Sequence, residues 1–277
     1  MARAAAIQMV SGPDVEANLV EAERLIRQAA ESGAEVAVLP ENFAIMGRRD
    51  SDKLRVAELA GEGPIQSFLS RAASEHGIWL VGGTIPLAGP TPERVYPACL
   101  VFDAGGRRVA RYDKIHLFDV DIADSNERYR ESDTLLAGDQ VGWTDTPAGR
   151  LGLSVCYDLR FPELYRRLVD AGVVGFTVPA AFTAATGERH WEALLRARAI
   201  ENLAYVIAAG QAGEHASGRR TWGHSMIIDP WGDVLVSLES GPGVAIAELE
   251  PETVRERRER FPSLSHRRLG TPGEGAR

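Results

Sequence analysis

Along this chain, apolar runs of strand length alternate with amphipathic helical stretches, and the alternation occurs twice in one order. No other feature limits the possible folds as strongly. In the first half, residues 3–10 predict a strand and 14–32 a helix, which opens after Pro13-Asp14 and carries Leu19, Ala22, Leu25, Ile26 and Ala29 on one stripe. Strand 35–39 follows, then helix 64–76, strand 78–84, and strands 95–103 and 107–113 joined by the turn Asp103-Ala104-Gly105-Gly106. In the second half the pattern predicts strand 150–155, helix 161–171, strand 173–178, helix 188–203 and strand 204–210. A hairpin, 222–229 with 233–238, closes around Asp229-Pro230-Trp231-Gly232. Both halves read β-α-β-α-β-β-β, although no sequence repeat accompanies the shared order. Helices that return between strands cover one face of a sheet, and two such sheets bury their bare faces against each other. The expected α/β fold is a four-layer αββα sandwich. One domain is expected over residues 1–269, with 114–149 as a folded polar connection and 270–277 as a loose tail.

Charge and cysteine usage narrow the function. A net charge of −8 gives no electrostatic support to nucleic-acid or membrane-surface partners. The basic run 254–261 interleaves Glu with Arg and reads as a solvated helix face. Two cysteines 57 positions apart, and six histidines without an HxxxH pair, offer neither a disulfide framework nor a metal site. No metal and no cofactor is expected. The N-terminal apolar stretch is broken early by Ser11-Gly12-Pro13, and no apolar run approaches ~20 residues, so neither a signal peptide nor a membrane span is expected. These features predict a reduced, cytoplasmic protein.

In open α/β sheets, ligands collect beyond the carboxyl ends of strands. Glu41 follows the 35–39 strand, Lys114 follows 107–113, and Cys156 follows 150–155. Taken singly, each has a plainer reading as loop carboxylate, solvated lysine or small core residue. Together they form a chemical set. A free thiol is only a few per cent ionised at neutral pH and needs a base or a cation beside it. Glu41 can take that proton, while Lys114 can stabilise negative charge on sulfur or a carbonyl oxygen. The backbone N–H of Tyr157, where a turn opens, is a second oxyanion donor. Cys99, inside an alternating strand with no charged neighbours, reads as core.

The segments LPENF, RYDKIHLFD and GLSVCYDLRFPELY resemble the three catalytic blocks of the nitrilase superfamily, the carbon–nitrogen hydrolases. The likeness continues through TGERHWEALLRARAIEN and WGHSMIIDPWG and covers about residues 3–268. It implies the αββα sandwich and a Glu-Lys-Cys triad at Glu41, Lys114 and Cys156. It further implies an additional glutamate at Glu131, with Glu127 as the alternative. Tyr-Asp-Leu-Arg after the cysteine is similar to the amidase branch, and LLRARAIEN and VIAAGQAG are closer to deaminated glutathione amidases than to omega-amidases. The implied reaction converts a primary amide of a small carboxylate-bearing molecule to acid and ammonia through a thioester. An omega-amidase acting on α-ketoglutaramate or an N-carbamoyl amide hydrolase is the enzymatic alternative, and a binding or scaffold protein retaining the fold is the non-enzymatic one. Arg160 is the implied partner of a substrate carboxylate, unless it pairs with Asp158 or Glu163. Phe182 and Thr186 match acyl-pocket positions, while His190 and Trp191 are expected to pack structurally. A homodimer or higher homo-oligomer is implied, with Arg196 and Arg198 as interface candidates.

Overall fold

The computed structural model describes residues 1–122 and 127–269, so the expected tail at 270–277 lies outside the described residues. Two sheets organise the chain. The first has the order Gly243–Leu249, Ala2–Gln8, Val36–Val38, Trp79–Val81, Val95–Phe102, Ile85–Ala88, with Arg108–Asp113 also pairing with Val95–Phe102. The second has the order Val234–Ser237, Met226–Ile228, Tyr205–Gly210, Gly175–Ala180, Gly149–Leu153, Gly142–Thr146. Three parallel strands form the centre of each, flanked by antiparallel ones. Helices Val15–Glu31 and Pro64–His76 cover the first sheet, and Pro162–Asp170 and Ala184–Asn202 the second. The architecture is the expected four-layer sandwich.

Local chemistry sets the helix ends. Asp14 accepts the Ala17 N–H at 3.1 Å, Pro64 and Pro162 occupy first-turn positions, and Gly77 ends its helix in the left-handed conformation. Strand periodicity sorts the core. Along Ala2–Gln8, Ala4 and Ala6 face the second sheet, while Ala5 and Ile7 face the helices. Ala4 and Ala6 leave little bulk between the sheets. The two backbones therefore bond directly just beyond these strands. Met9 N–H donates to the Gly210 carbonyl at 3.3 Å, and Ala212 N–H to the Met9 carbonyl at 2.8 Å. The carboxyl ends of both sets of parallel strands meet at this seam.

The structure departs from the expected elements in several places. Gly243–Leu249, not expected as a strand, pairs antiparallel with Ala2–Gln8 and is the counterpart of Gly142–Thr146 beside Gly149–Leu153. The expected strand 222–229 is interrupted: Arg220–Trp222 pairs with Ala212–Glu214, His224 has φ +52°, and Met226–Ile228 alone joins the large sheet. The expected helix 188–203 begins at Ala184, because Thr183 caps it by accepting the Thr186 N–H at 3.4 Å. Gly187 belongs in that first turn, since a Cβ there would lie 2.3 Å from Trp222 Cβ. The polar connection contains the hairpin Asp119–Ile122 with Glu127–Arg130 and a single turn at Glu131–Asp133. The basic run falls on helix Pro251–Arg260, where Val254 is the buried residue and Arg258 reaches the Val173 and Asn202 carbonyls. Among the described residues, no helix is long and apolar enough to cross a membrane.

Candidate active site

Lys114 is fully buried, and its position is set by carboxylates from distant parts of the chain. Nζ donates to Glu41 Oε1 at 2.8 Å and to Glu131 at 2.8 Å and 3.1 Å. The second oxygen of Glu41 accepts the Ala181 N–H at 2.9 Å, just beyond strand Gly175–Ala180, so this carboxylate links one sheet to the other. Glu131 also accepts the Phe118 N–H at 2.8 Å. Beneath Glu41, Gly83 (φ +54°) packs on the preceding residue so closely that a Cβ would fall 2.0 Å from the Pro40 carbonyl oxygen. Only glycine fits there.

Cys156 opens the turn Cys156–Arg160 with φ +49°, in the left-handed region that costs a non-glycine residue on the order of 1–3 kcal/mol. Asn42, directly after Glu41, has φ +58°. Two of the four non-glycine residues with positive φ among the described residues therefore lie in this site. Burial first, then the negative charge of Glu41, push the Cys156 pKa well up, with Lys114 opposing. Burial disfavours the Lys114 charge, but Glu131 and Glu41 outweigh it and raise the ammonium pKa well above its ordinary value. Burial likewise opposes ionisation of Glu131, yet Lys114 holds its carboxyl down to about 2. Cys99 is fully buried among strand residues, and burial pushes its thiol up to about 12.

Cys156 lines a small pocket, whose wall also includes Glu131, Tyr157, Arg160, Phe182, Thr186 and Arg219. The expected substrate residues thus line it together. The Tyr157 N–H lies in the first turn of its short helix, where no helix carbonyl is available to it. Arg160 pairs with neither Asp158 nor Glu163. Its guanidinium stacks 5.1 Å over Phe182, and Nη1 lies 3.2 Å from His190 Nδ1. His190, expected to pack structurally, is exposed, whereas Trp191 is buried and donates Nε1 to the His224 carbonyl at 2.8 Å. Arg198 turns inward instead of towards an interface, donating to the Leu159 carbonyl at 2.7 Å, while Arg196 is exposed beside Glu192. The Glu127 side chain lies outside the described residues.

Sequence reasoning missed the role of Asp158, which the structure buries completely. Its carboxylate accepts Tyr112 Oη at 2.6 Å, the Val155 N–H at 2.9 Å, and the His116 N–H and Nδ1 at 3.1 Å and 2.7 Å. Asp158 therefore ties the segment carrying Lys114 to the one carrying Cys156. Tyr112→Phe is expected to lower stability by about 1.5–3 kcal/mol, the worth of a hydrogen bond to a charged group, in urea unfolding. An unchanged midpoint would show that the clamp does not need this donor. Arg219 was also missed, for it arrives from a loop with no motif of its own.

An αββα sandwich that holds a buried ammonium between two carboxylates, one of which lines a pocket together with a thiol, defines a class of protein. The carbon–nitrogen hydrolase family model matches residues 3–259, and the chain belongs to that family of carbon–nitrogen bond hydrolases. The deaminated glutathione amidase of Synechocystis sp. is 46% identical over 268 residues, which cover 95% of this chain and 97% of that protein. The crystal structure of the Caenorhabditis elegans NitFhit protein superimposes with a TM-score of 0.89 at 39% identity, covering 97% of this chain and 66% of the other. A mutant of the amidase from Nesterenkonia sp. AN1, its active-site cysteine modified by Michael addition of acrylamide, matches with a TM-score of 0.79 at 27% identity, covering 94% of this chain and 98% of the other.

Proposed function

We propose that the chain is an amidase in which Cys156 is the nucleophile, Glu41 the general base, Lys114 and the Tyr157 N–H the oxyanion donors, and Glu131 the residue that positions Lys114. One observation carries this reading: Glu41 bonds the fully buried Lys114 ammonium at 2.8 Å, and its charge acts on the thiol of Cys156, which lines the adjoining pocket. Glu41 takes the thiol proton as sulfur attacks the amide carbon, and the oxyanion is held by Lys114 and the Tyr157 N–H. The proton then passes to the departing nitrogen as the carbon–nitrogen bond breaks, leaving a thioester on Cys156. Water, deprotonated by Glu41, attacks the thioester carbonyl. The acid leaves and the proton returns to sulfur.

Arg160, which no carboxylate engages among the described residues, is the anchor for a carboxylate on the acyl side, over Phe182 and beside Thr186. The substrate we favour is a deaminated glutathione, after the relative of that name. Its scissile bond is a secondary amide, so the departing nitrogen belongs to a peptide-like amine. A primary amide such as α-ketoglutaramate would lose ammonia through the same steps. Rates on deaminated glutathione, α-ketoglutaramate and N-carbamoyl amino acids rank the alternatives, and an inert deaminated glutathione would overturn the choice. Mass spectrometry of the quenched enzyme during turnover is expected to find the acyl group on Cys156, with Cys99 unmodified. Steady turnover with no adduct would remove the covalent mechanism.

We assign the protein to the cytoplasm, where its two free thiols stay reduced. We further read residues 1–269 as one domain, because the late strand Gly243–Leu249 completes the sheet that Ala2–Gln8 begins. A homodimer is favoured by one apolar patch, where Trp231 meets Phe261 edge to face and Gly232 packs on Ile200, each of the three large side chains being about half exposed. Light scattering tests that assembly.

A further inference from the structure

A second and larger concavity, with roughly 950 Å³ of open space, adjoins the catalytic cavity and shares Arg219 with it. Arg48, Arg49, Lys53 and Arg128 line it, with Asp50 as its acidic residue among the described residues. So dense a positive patch is unexpected on a chain of net charge −8. It is also largely uncompensated. Arg128 approaches Asp121 at 3.6 Å with both side chains exposed, a weak pairing, and no ion pair engages Arg48, Arg49 or Lys53 among the described residues.

The groove is joined to the chemistry at three points. Arg219 stands in both walls; it donates to the Ala181 carbonyl at 2.5 Å, while its Nε is buried without a hydrogen-bond partner among the described residues. Asn42, the neighbour of Glu41 in sequence, lines the groove. The charge on Lys53 helps to hold down the pKa of Glu131, after the larger contribution of Lys114. An acyl carboxylate is already provided for by Arg160 in the inner cavity, so the groove answers to the other part of the substrate. A primary amide has nothing to place there, because its leaving group is ammonia.

We propose that this basic groove is a leaving-group subsite, which binds a carboxylate at the far end of an amine released from the scissile bond. The preferred substrate is then an amide carrying an anion on each side of the reacting carbonyl: one for Arg160, the other for Arg48 and Arg49. Two extended residues reach about 7 Å beyond the scissile nitrogen, enough to carry a terminal carboxylate out of the inner cavity. The inference rests on the amidase reading above and deepens it, since it assigns the residues that hold the leaving amine.

The experiment compares kcat/KM for deaminated glutathione with that for the same molecule carrying a terminal carboxamide, in the wild-type protein and in the double variant Arg48→Ala/Arg49→Ala. The carboxylate-to-carboxamide ratio is internal to each protein, so a partly folded variant does not distort it. The wild type is expected to prefer the carboxylate by roughly 10- to 100-fold, the range for hydrogen bonds to a charged group, with the preference weakening as salt rises. The double variant is expected to bring the ratio close to one. A wild-type ratio near one, or a ratio preserved in the variant, overturns the subsite while leaving the amidase reading intact. Turnover of α-ketoglutaramate with rejection of both peptide-like amides overturns the favoured substrate and the subsite together.

Discussion

Cys156→Ala is expected to lower kcat by about 10⁴-fold or more and to abolish the trapped acyl adduct, while the protein still folds. The size of the loss follows from what the nucleophile does. Without sulfur there is no thioester, and the residual oxyanion donors act only on direct attack by water, so the whole covalent route is lost at once. The fold has little to lose, since alanine keeps the methylene carbon and the residue carries only a small buried side chain. A structural role alone would give the reverse result: a lower unfolding midpoint with rates per folded molecule unchanged. Serine is not an adequate replacement, because Glu41 would have to deprotonate a far weaker acid. Retention of kcat within about 10-fold in the alanine variant would end the proposal that this thiol is the nucleophile.

Lys114→Met is expected to damage both stability and rate. The ammonium is fully buried and makes three short contacts to two carboxylates, so its removal strands two negative charges in a closed space. Breaking a buried pair from one side costs about 3–5 kcal/mol. Loss of an oxyanion donor adds about 100- to 1000-fold in kcat. The pH dependence separates this electrostatic origin from a simple packing defect. In the wild type, Lys114 holds the Glu131 pKa down to about 2, below its ordinary 4.5. That contribution to stability is complete above about pH 4.5 and is lost as pH falls towards 2. In the variant the stranded carboxylates bind protons more tightly folded than unfolded. Their contribution to stability is present in acid and is lost as pH rises. Melting temperature should therefore climb with pH across the acidic range in the wild type and decline in the variant; parallel profiles would refute the charge-based account.

The sequence made the central parallel strands legible because their flanking helices carry clear apolar stripes and their apolar runs end at Gly, Pro or charged residues. Helix Pro64–His76 was legible to the residue, since Pro64 and Gly77 mark its ends. Strand Gly243–Leu249 was missed although Val244 and Ile246 alternate with Ala245, because its partner lies more than 230 residues away and no adjacent turn announces it. In the site, Glu41, Lys114 and Cys156 could be picked out by their common placement after strands. Glu131 came only from resemblance, as a turn carboxylate has no periodicity to mark it. Asp158 was visible as a residue but not as a clamp, for its four donors come from Tyr112, His116 and Val155. Arg219 and the arginines at 48 and 49 reach the site through loops, whose course no local pattern records.

That distant strand also has a meaning for how the molecule is born. While ribosomes are still adding the second sheet, the flank of Ala2–Gln8 that will receive Gly243–Leu249 is an open row of amides and carbonyls. Emergence of Ala2–Gln8 from the exit tunnel cannot close it; only synthesis through Leu249 can. A nascent chain of this type therefore needs protection from intermolecular strand pairing until Gly243–Leu249 has been made, and cleavage just before Gly243 would expose that same flank again.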